Sequence, residues 1–291
     1  MTLTTPFALD IITTPDIAFD LADALGMEGE MSALGVTIFD APSGKMLVQA
    51  LFQSQTDAET VLASLDAFSG FDSKIHQLPE TDWVSETQSG LPPVIAGRFF
   101  VHGAHDSDKI PEDKIAIHVE AGLAFGTGHH GTTAGCLQIF SERLDRGFAP
   151  NRILDLGCGA GILAIAAAKT LSAANIIATD IDHDAIMVTE QNATENAVPG
   201  RISAHVADGF DSPALKSRQF DLIFANILAG PLMGLAEDIV SATAPDGTVV
   251  LSGILDEKAE EVARCFEKAG LKVTPQSSIE GWTSLLAIKA Q

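Results

Sequence analysis

The sequence predicts an α/β protein: a seven-stranded, mostly parallel, doubly wound sheet preceded by a small α+β unit. Three observations carry this. From Asn151 onward, short apolar strands alternate with helical segments, the pattern of a parallel sheet built from crossovers. The first of those strands runs into the glycine-rich string DLGCGAG, Asp155 to Gly161. The chain closes on two consecutive strands, LKVTPQ and TSLLAIK, without a helix between them, which implies an antiparallel hairpin edge.

The first 75 residues read as an alternating unit of their own. FALDIITT, Phe7 to Thr14, is strand-like. PDIAFDLADALGM has proline at a helix start and apolar residues at helical spacing. LGVTIFD and KMLVQALFQ are strands joined by the short turn APSG. DAETVLASLDAF is a second helix, and KIHQL a last strand. The order βαββαβ predicts a ferredoxin-like sandwich. Residues 76–115, with Trp83, the Pro92–Pro93 pair and several glycines, read as a connector, and residues 116–291 as the second domain. There RILDLG, NIIATD, ISAHVAD, FDLIFANIL and GTVVLSG are strands. GILAIAAAKTL, HDAIMVTEQNATEN, PLMGLAEDIVSATA and EKAEEVARCFEKAG are helices.

Composition bounds the function. With 46% hydrophobic and 19% charged residues over 291 positions, the chain can fill a sizeable core. The formal charge of -22, without a basic patch, disfavours direct nucleic-acid binding. A basic protein partner would be attracted instead, or the acidity serves solubility alone. Residues 1–72 hold eleven carboxylates against one Lys45 and no visible catalytic group, as a docking module for a basic protein would. Cys136, Cys158 and Cys265 form no C-x-x-C pair, so neither a zinc site nor a disulfide framework is expected, and a reducing, cytoplasmic compartment fits. No basic, apolar leader opens the chain, and no apolar run approaches the ~18 residues that span a bilayer.

The spacing D-x-G-x-G-x-G selects the ligand. A nicotinamide loop wants G-x-G-x-x-G, but Ile162 follows Gly161, so the third glycine comes one residue early. The observed spacing is that of class I S-adenosylmethionine-dependent methyltransferases, a Rossmann-like fold. Gly157, Gly159 and Gly161 then let a ligand approach backbone N–H groups at a helix N-terminus. Asp180 ends the second strand, where a carboxylate can accept bonds from both ribose hydroxyls. Asp180, Asp182 and Asp184 mimic the start of a calcium loop, but Ala185 and Gln191 stand where glycine and glutamate are needed; Asp182 is a helix cap instead. Asp208 ends the third strand and could accept an adenine amino group with Phe210 beside the ring, or cap the following turn. Asn226 ends the fourth in FANIL, with nothing ionisable beside it. Its carbonyl could hold an amine and aim its lone pair at a methyl group, or satisfy loop backbone.

The strings EAGLAFGTGHHGTT, ILDLGCGAGILAIAA, ATDIDHDAI, FANILAGPL and SGIL resemble the PrmA family, which methylates the eleventh protein of the large ribosomal subunit. The resemblance covers roughly residues 82–291. Two departures stand out: Ala121 replaces the family's usual proline, and His129-His130-Gly131 its Thr-His-Pro, while His130 and Thr133 are kept. The resemblance implies S-adenosylmethionine as cofactor and a loop, including Phe125, Gly126, Thr127 and His130, folded over it. It further implies Thr133 on the methionine part, Gly157 in the turn, Asp180 on the ribose and Asn226 near the transferred methyl. It implies a basic ribosomal protein as substrate, modified on lysine side chains and its N-terminal amine, and a monomeric enzyme. His129 and His130 have no third metal ligand at recognisable spacing, so no metal is expected. The competing readings are a nicotinamide oxidoreductase, a related methyltransferase acting on another protein, a small molecule or a base, and a non-catalytic module that keeps the fold.

Overall fold

The computed structural model describes residues 7–14, 17–18, 21–22, 25, 33, 35–41, 45–65, 71–77, 93–119 and 130–290. The chain divides into two compact units, Met1–Trp83 and Val84–Gln291.

In the first unit the described strands are β1 (Phe7–Thr13), β2 (Gly35–Ala41), β3 (Lys45–Phe52) and β4 (Asp72–Gln77), with α1 (Gln55–Ser64) between β3 and β4. They form an antiparallel sheet in the order β2-β3-β1-β4. Alternate residues of β1 face inward because side chains of a strand point to opposite faces. Leu9 and Ile11 join Val48, Ala50 and Phe52 in a core closed by the helical residues Ala18, Leu21 and Leu25 and by Ala58 and Val61 of α1. The helix starts two residues before the span that its sequence suggests, because Ser54 accepts the Asp57 amide at 3.2 Å and caps it.

Among the described residues, the first strands of the second unit are β5 (Val94–Ala96), β6 (Phe99–His102) and β7 (Ile115–His118), a three-stranded sheet. Strands β5 and β6 lie within the span read as a connector, and β7 crosses its end, yet Phe99 and Val101 of that span are buried with Ile117 in the core of the second unit. Next come α2 (His130–Asp145), β8 (Arg152–Leu156), α3 (Ile162–Thr170), β9 (Asn175–Asp180), α4 (His183–Glu195), β10 (Ile202–Val206) and β11 (Phe220–Asn226). The short helices α5 (Ala229–Gly234) and α6 (Ala236–Ala242) lead to β12 (Thr243–Leu255), α7 (Ala259–Ala269), β13 (Leu271–Ile279) and β14 (Trp282–Lys289). The segment read as one helix from Pro231 is thus broken at Leu235, which ends α5 and caps α6.

The main sheet has the order β10-β9-β8-β11-β12-β14-β13. Its first four pairings are parallel, and β14 runs antiparallel to both β12 and β13, so the terminal hairpin is the edge that the helix-free ending predicts. The strands read as apolar runs because both faces are covered. Ile153, Leu222 and Phe224 point to the side of α2, α3 and α4; Leu154, Ile223 and Ala225 point to α5, α6 and α7. Phe140 pins α2 to the sheet: its ring stacks on Phe99 at 5.9 Å and meets Phe224 edge-on at 5.3 Å.

Candidate functional site

The order of the sheet reverses at β8, since β9 lies on one side and β11 on the other. Crevices form outside the carboxyl ends of parallel strands at such a reversal. The residues singled out in the sequence gather there.

Gly157, Gly159 and Gly161 follow β8 with φ of 70°, 51° and 77°, a left-handed path that side chains resist. Two backbone bonds to the Thr179 carbonyl, from Gly157 at 2.8 Å and Cys158 at 2.9 Å, hang the loop on β9. Gly159 donates to Asp180 Oδ2 at 2.8 Å, and Asp182 donates to Asp180 Oδ1 at 3.0 Å. Asp182 in turn caps α4 by accepting the Asp184 amide at 2.8 Å.

The loop's carbonyls are satisfied from the inner face of α4. Thr189 Oγ1 donates to Gly159 O at 2.9 Å, and Asn192 Nδ2 donates to Ala160 O at 2.8 Å. Thr189 also fills the space where a Cβ on Gly161 would stand, 2.8 Å from its Cγ2. A trans peptide sets its N–H opposite its C=O. The Gly159 carbonyl bonded to Thr189 therefore turns the Ala160 N–H away from α4. One turn further on, Asn196 brackets β7, donating to His118 O at 2.6 Å and accepting from His118 N at 2.9 Å.

Asp155 lies beneath the loop, 1% exposed, between Phe224 and Ala178 on the flanking strands. Its Oδ2 accepts the Ala164 amide at 2.9 Å, so it supplies the cap that Gly161 lacks at the start of α3. Burial pushes its carboxyl up to about 7, against the Ala164 bond and aided by the negative charge of Asp180. Burial likewise raises the thiols: Cys136 is pushed up to about 12, and Cys158 is also raised.

Asn226 ends β11, in register with Ser252 of β12 and one residue past the Ala225–Leu156 pair. The turn after it is threaded between two glycines. A Cβ on Gly157 would overlap the Ile227 side chain, and one on Gly253 would overlap the Ile227 carbonyl. Asn226 Nδ2 donates to Thr132 Oγ1 at 3.4 Å, which ties the crevice to the first turn of α2. Thr133, 7% exposed, is the next residue of that turn.

Gly157, Gly159, Gly161, Asp180 and Asn226 therefore share one strand edge. Asp208 lies one strand over, where Ala207 N bonds Asp180 O at 2.8 Å; it is exposed, and its carbonyl opens a turn by accepting Asp211 N at 2.9 Å. Phe210 is half-buried against the α5–α7 side of the core. Phe125, Gly126 and Thr127 lie outside the described residues, and of His130 only the backbone, which opens α2, is described. Sequence reading gave no role to Thr132, Thr189, Asn192, Asn196 or Ser252. The α4 residues had a signal: Thr189, Asn192 and Asn196 recur three and four residues apart on the face that also carries Ala185 and Ala193. Thr132 had none to separate it from Thr133.

The glycine cradle fits a cofactor with a polar aminoacyl end. Side chains are excluded from Gly157 and Gly161 by what already packs there, and the Ala160 N–H is turned from α4.

Comparison with known proteins gives a concordant result. The family model "Ribosomal protein L11 methyltransferase (PrmA)" matches residues 22–290. A ribosomal protein L11 methyltransferase of Brucella abortus (strain S19) is 44% identical over 254 residues, 86% of this chain and 88% of its own. One of Rhodopseudomonas palustris (strain BisB5) is 40% identical over 274 residues, 92% of each chain. The crystal structure of a ribosomal protein L11 methylase from Lactobacillus delbrueckii subsp. bulgaricus superimposes with a TM-score of 0.59 at 27% identity, over 68% of this chain and 99% of that one.

Proposed function

The chain belongs to the ribosomal protein L11 methyltransferase (PrmA) family, and from that premise we propose how its residues carry out S-adenosylmethionine-dependent methylation of ribosomal protein L11. The single observation that carries the reading is the convergence of the DLGCGAG turn, Asp180 and Asn226 on one strand edge. When bound, S-adenosylmethionine supplies an electrophilic methyl on a sulfonium, and the S–C electrons stay on sulfur as the amine nitrogen takes the methyl.

Gly157, Gly159 and Gly161 line the cofactor's approach to the backbone, Asp180 receives the ribose and Asp208 faces the adenine amino group. Asp180 already accepts two backbone amides, so its remaining lone pairs serve the ribose. Thr133 takes the methionine part, and Phe125, Gly126, Thr127 and His130 belong to the covering loop that the family resemblance implies.

Asn226 Oδ1 holds the incoming amine and aims its lone pair. A free lysine has a pKa of about 10.4, so its proton must be lost first. Desolvation in an uncharged cleft lowers an amine's pKa, whereas a carboxylate alongside would hold the ammonium. The groups around Asn226 suit this: Thr132, Ser252, Ile227 and Leu228 carry no charge. Lysine side chains and the N-terminal amine of the basic substrate are the acceptors, and the protein acts as a monomer in the cytoplasm.

The strand order β2-β3-β1-β4 supports reading the first unit as a ferredoxin-like sandwich that serves as the substrate-recognition domain, its carboxylates attracting the basic protein at a distance. Reaching several amines calls for that unit to reorient. A hinge for this lies outside 94–118, because β5–β7 are built into the core of the second unit. Calorimetry with S-adenosylmethionine and with a nicotinamide dinucleotide tests the cofactor: binding of the dinucleotide alone would refute the reading.

A further inference from the structure

We propose that Thr132 is the positioning residue that orients the Asn226 amide toward the substrate amine. The inference rests on the role given above to Asn226. A carboxamide carries its donor and acceptor at opposite ends. With Nδ2 engaged by Thr132 Oγ1 at 3.4 Å, the Oδ1 end is turned away from α2, the orientation an amine needs to donate to it.

Thr132 is itself held on both sides. Ser252, the register partner of Asn226 and fully buried, donates to the Thr132 carbonyl at 3.1 Å and meets Ser284 Oγ at 2.9 Å. Two glycines seat the same turn of α2 on the terminal hairpin. A Cβ on Gly131 would stand 2.5 Å from the Ile279 carbonyl oxygen, and one on Gly135 would overlap the Ser284 hydroxyl. The turn therefore cannot ride up or slide without breaking a bond or filling space that is already occupied. The terminal hairpin completes the sheet without touching the glycine loop's bonds, yet it still reaches the site. Through Ser284 and Ser252 it fixes the hydroxyl against which Asn226 is set. Every group in this chain of contacts is uncharged, so it orients the amide without favouring an ammonium.

The test compares wild type with Thr132→Val, Thr132→Ser, Asn226→Ala and the double variant Thr132→Val/Asn226→Ala. Calorimetry gives Kd for S-adenosylmethionine, and methylation of purified ribosomal protein L11 gives kcat. We expect Thr132→Val to lower kcat by about tenfold to a hundredfold, as misplacement of a reacting group does, with Kd within about threefold of wild type. Thr132→Ser should recover most of the rate, and Thr132→Val should add less than about twofold to the loss in Asn226→Ala. Parallel losses of kcat and cofactor affinity would make Thr132 a cofactor contact and overturn the inference, as would an equal penalty in the double variant or an unchanged kcat. Normal turnover by Asn226→Ala would instead refute the role given to Asn226. Where Thr132→Val does not fold, Thr132→Ala is read by the same criteria.

Discussion

The Gly159 amide donates to the Asp180 carboxylate at 2.8 Å, so the glycine turn and the end of the neighbouring strand are one unit. The same carboxylate accepts Asp182 N, which starts α4, and α4 returns two side-chain bonds to the loop. Asp180→Ala removes the anchor as well as the proposed ribose acceptor. It should weaken S-adenosylmethionine binding by at least about tenfold, the equivalent of one charge-assisted hydrogen bond. Calorimetry measures it; an unchanged Kd would remove Asp180 from the pocket.

Gly135→Ala should destabilise the protein although alanine is the better helix former. The propensity gain is about 1 kcal/mol, whereas overpacking costs about 1–3 kcal/mol, and the new Cβ would overlap the buried Ser284 hydroxyl. Chemical denaturation should show a lower midpoint at unchanged slope. A raised midpoint would mean that the hairpin yields, and with it the seat of Thr132.

Asp155 makes stability depend on pH. Its native pKa is raised, from 3.8 to about 7, so its contribution is fully present below 3.8 and lost as pH rises through about 7. Asp155→Asn keeps a neutral carbonyl acceptor for Ala164 and has no charge to bury. Without cofactor, the variant should gain on wild type between pH 5 and pH 8, by at most about 1.4 kcal/mol for each step of one in pH. Tm measured across that range for both proteins decides; a constant difference would show that Asp155 is ionised throughout.

The cysteines should differ in reactivity. Cys136 is fully buried and Cys158, within the glycine loop, is 8% exposed, both with raised thiols, while Cys265 is half-buried on α7. Alkylation of the native protein followed by peptide mapping should mark Cys265 first. Rapid labelling of Cys158 would indicate that the glycine loop opens on its own.

The second unit of the fold was legible because its signals are local and agree. RILDLG ends in glycines that only a left-handed turn needs, and the pair LKVTPQ and TSLLAIK leaves no room for a crossover. Strands β5–β7 were less legible: at three or four residues they carry too little periodicity, and Gly97 and Pro93 read as punctuation. The break at Leu235 had a single cue, Gly234, which was outweighed because α5 and α6 otherwise continue one apolar pattern. At the site, Asp180 and Asn226 could be named because they end strands. Thr132 and Ser252 could not, because their role depends on α2 lying across β11 and β12, a contact over more than ninety positions of sequence.

The measurement closest to the central claim is the intact mass of ribosomal protein L11 after incubation with S-adenosylmethionine and either wild type or Asn226→Ala. Wild type should add successive methyl groups to the substrate, and the variant, with cofactor affinity kept within about threefold, should add few or none. Equal methylation by both proteins would contradict the placement of the reacting amine at the end of β11.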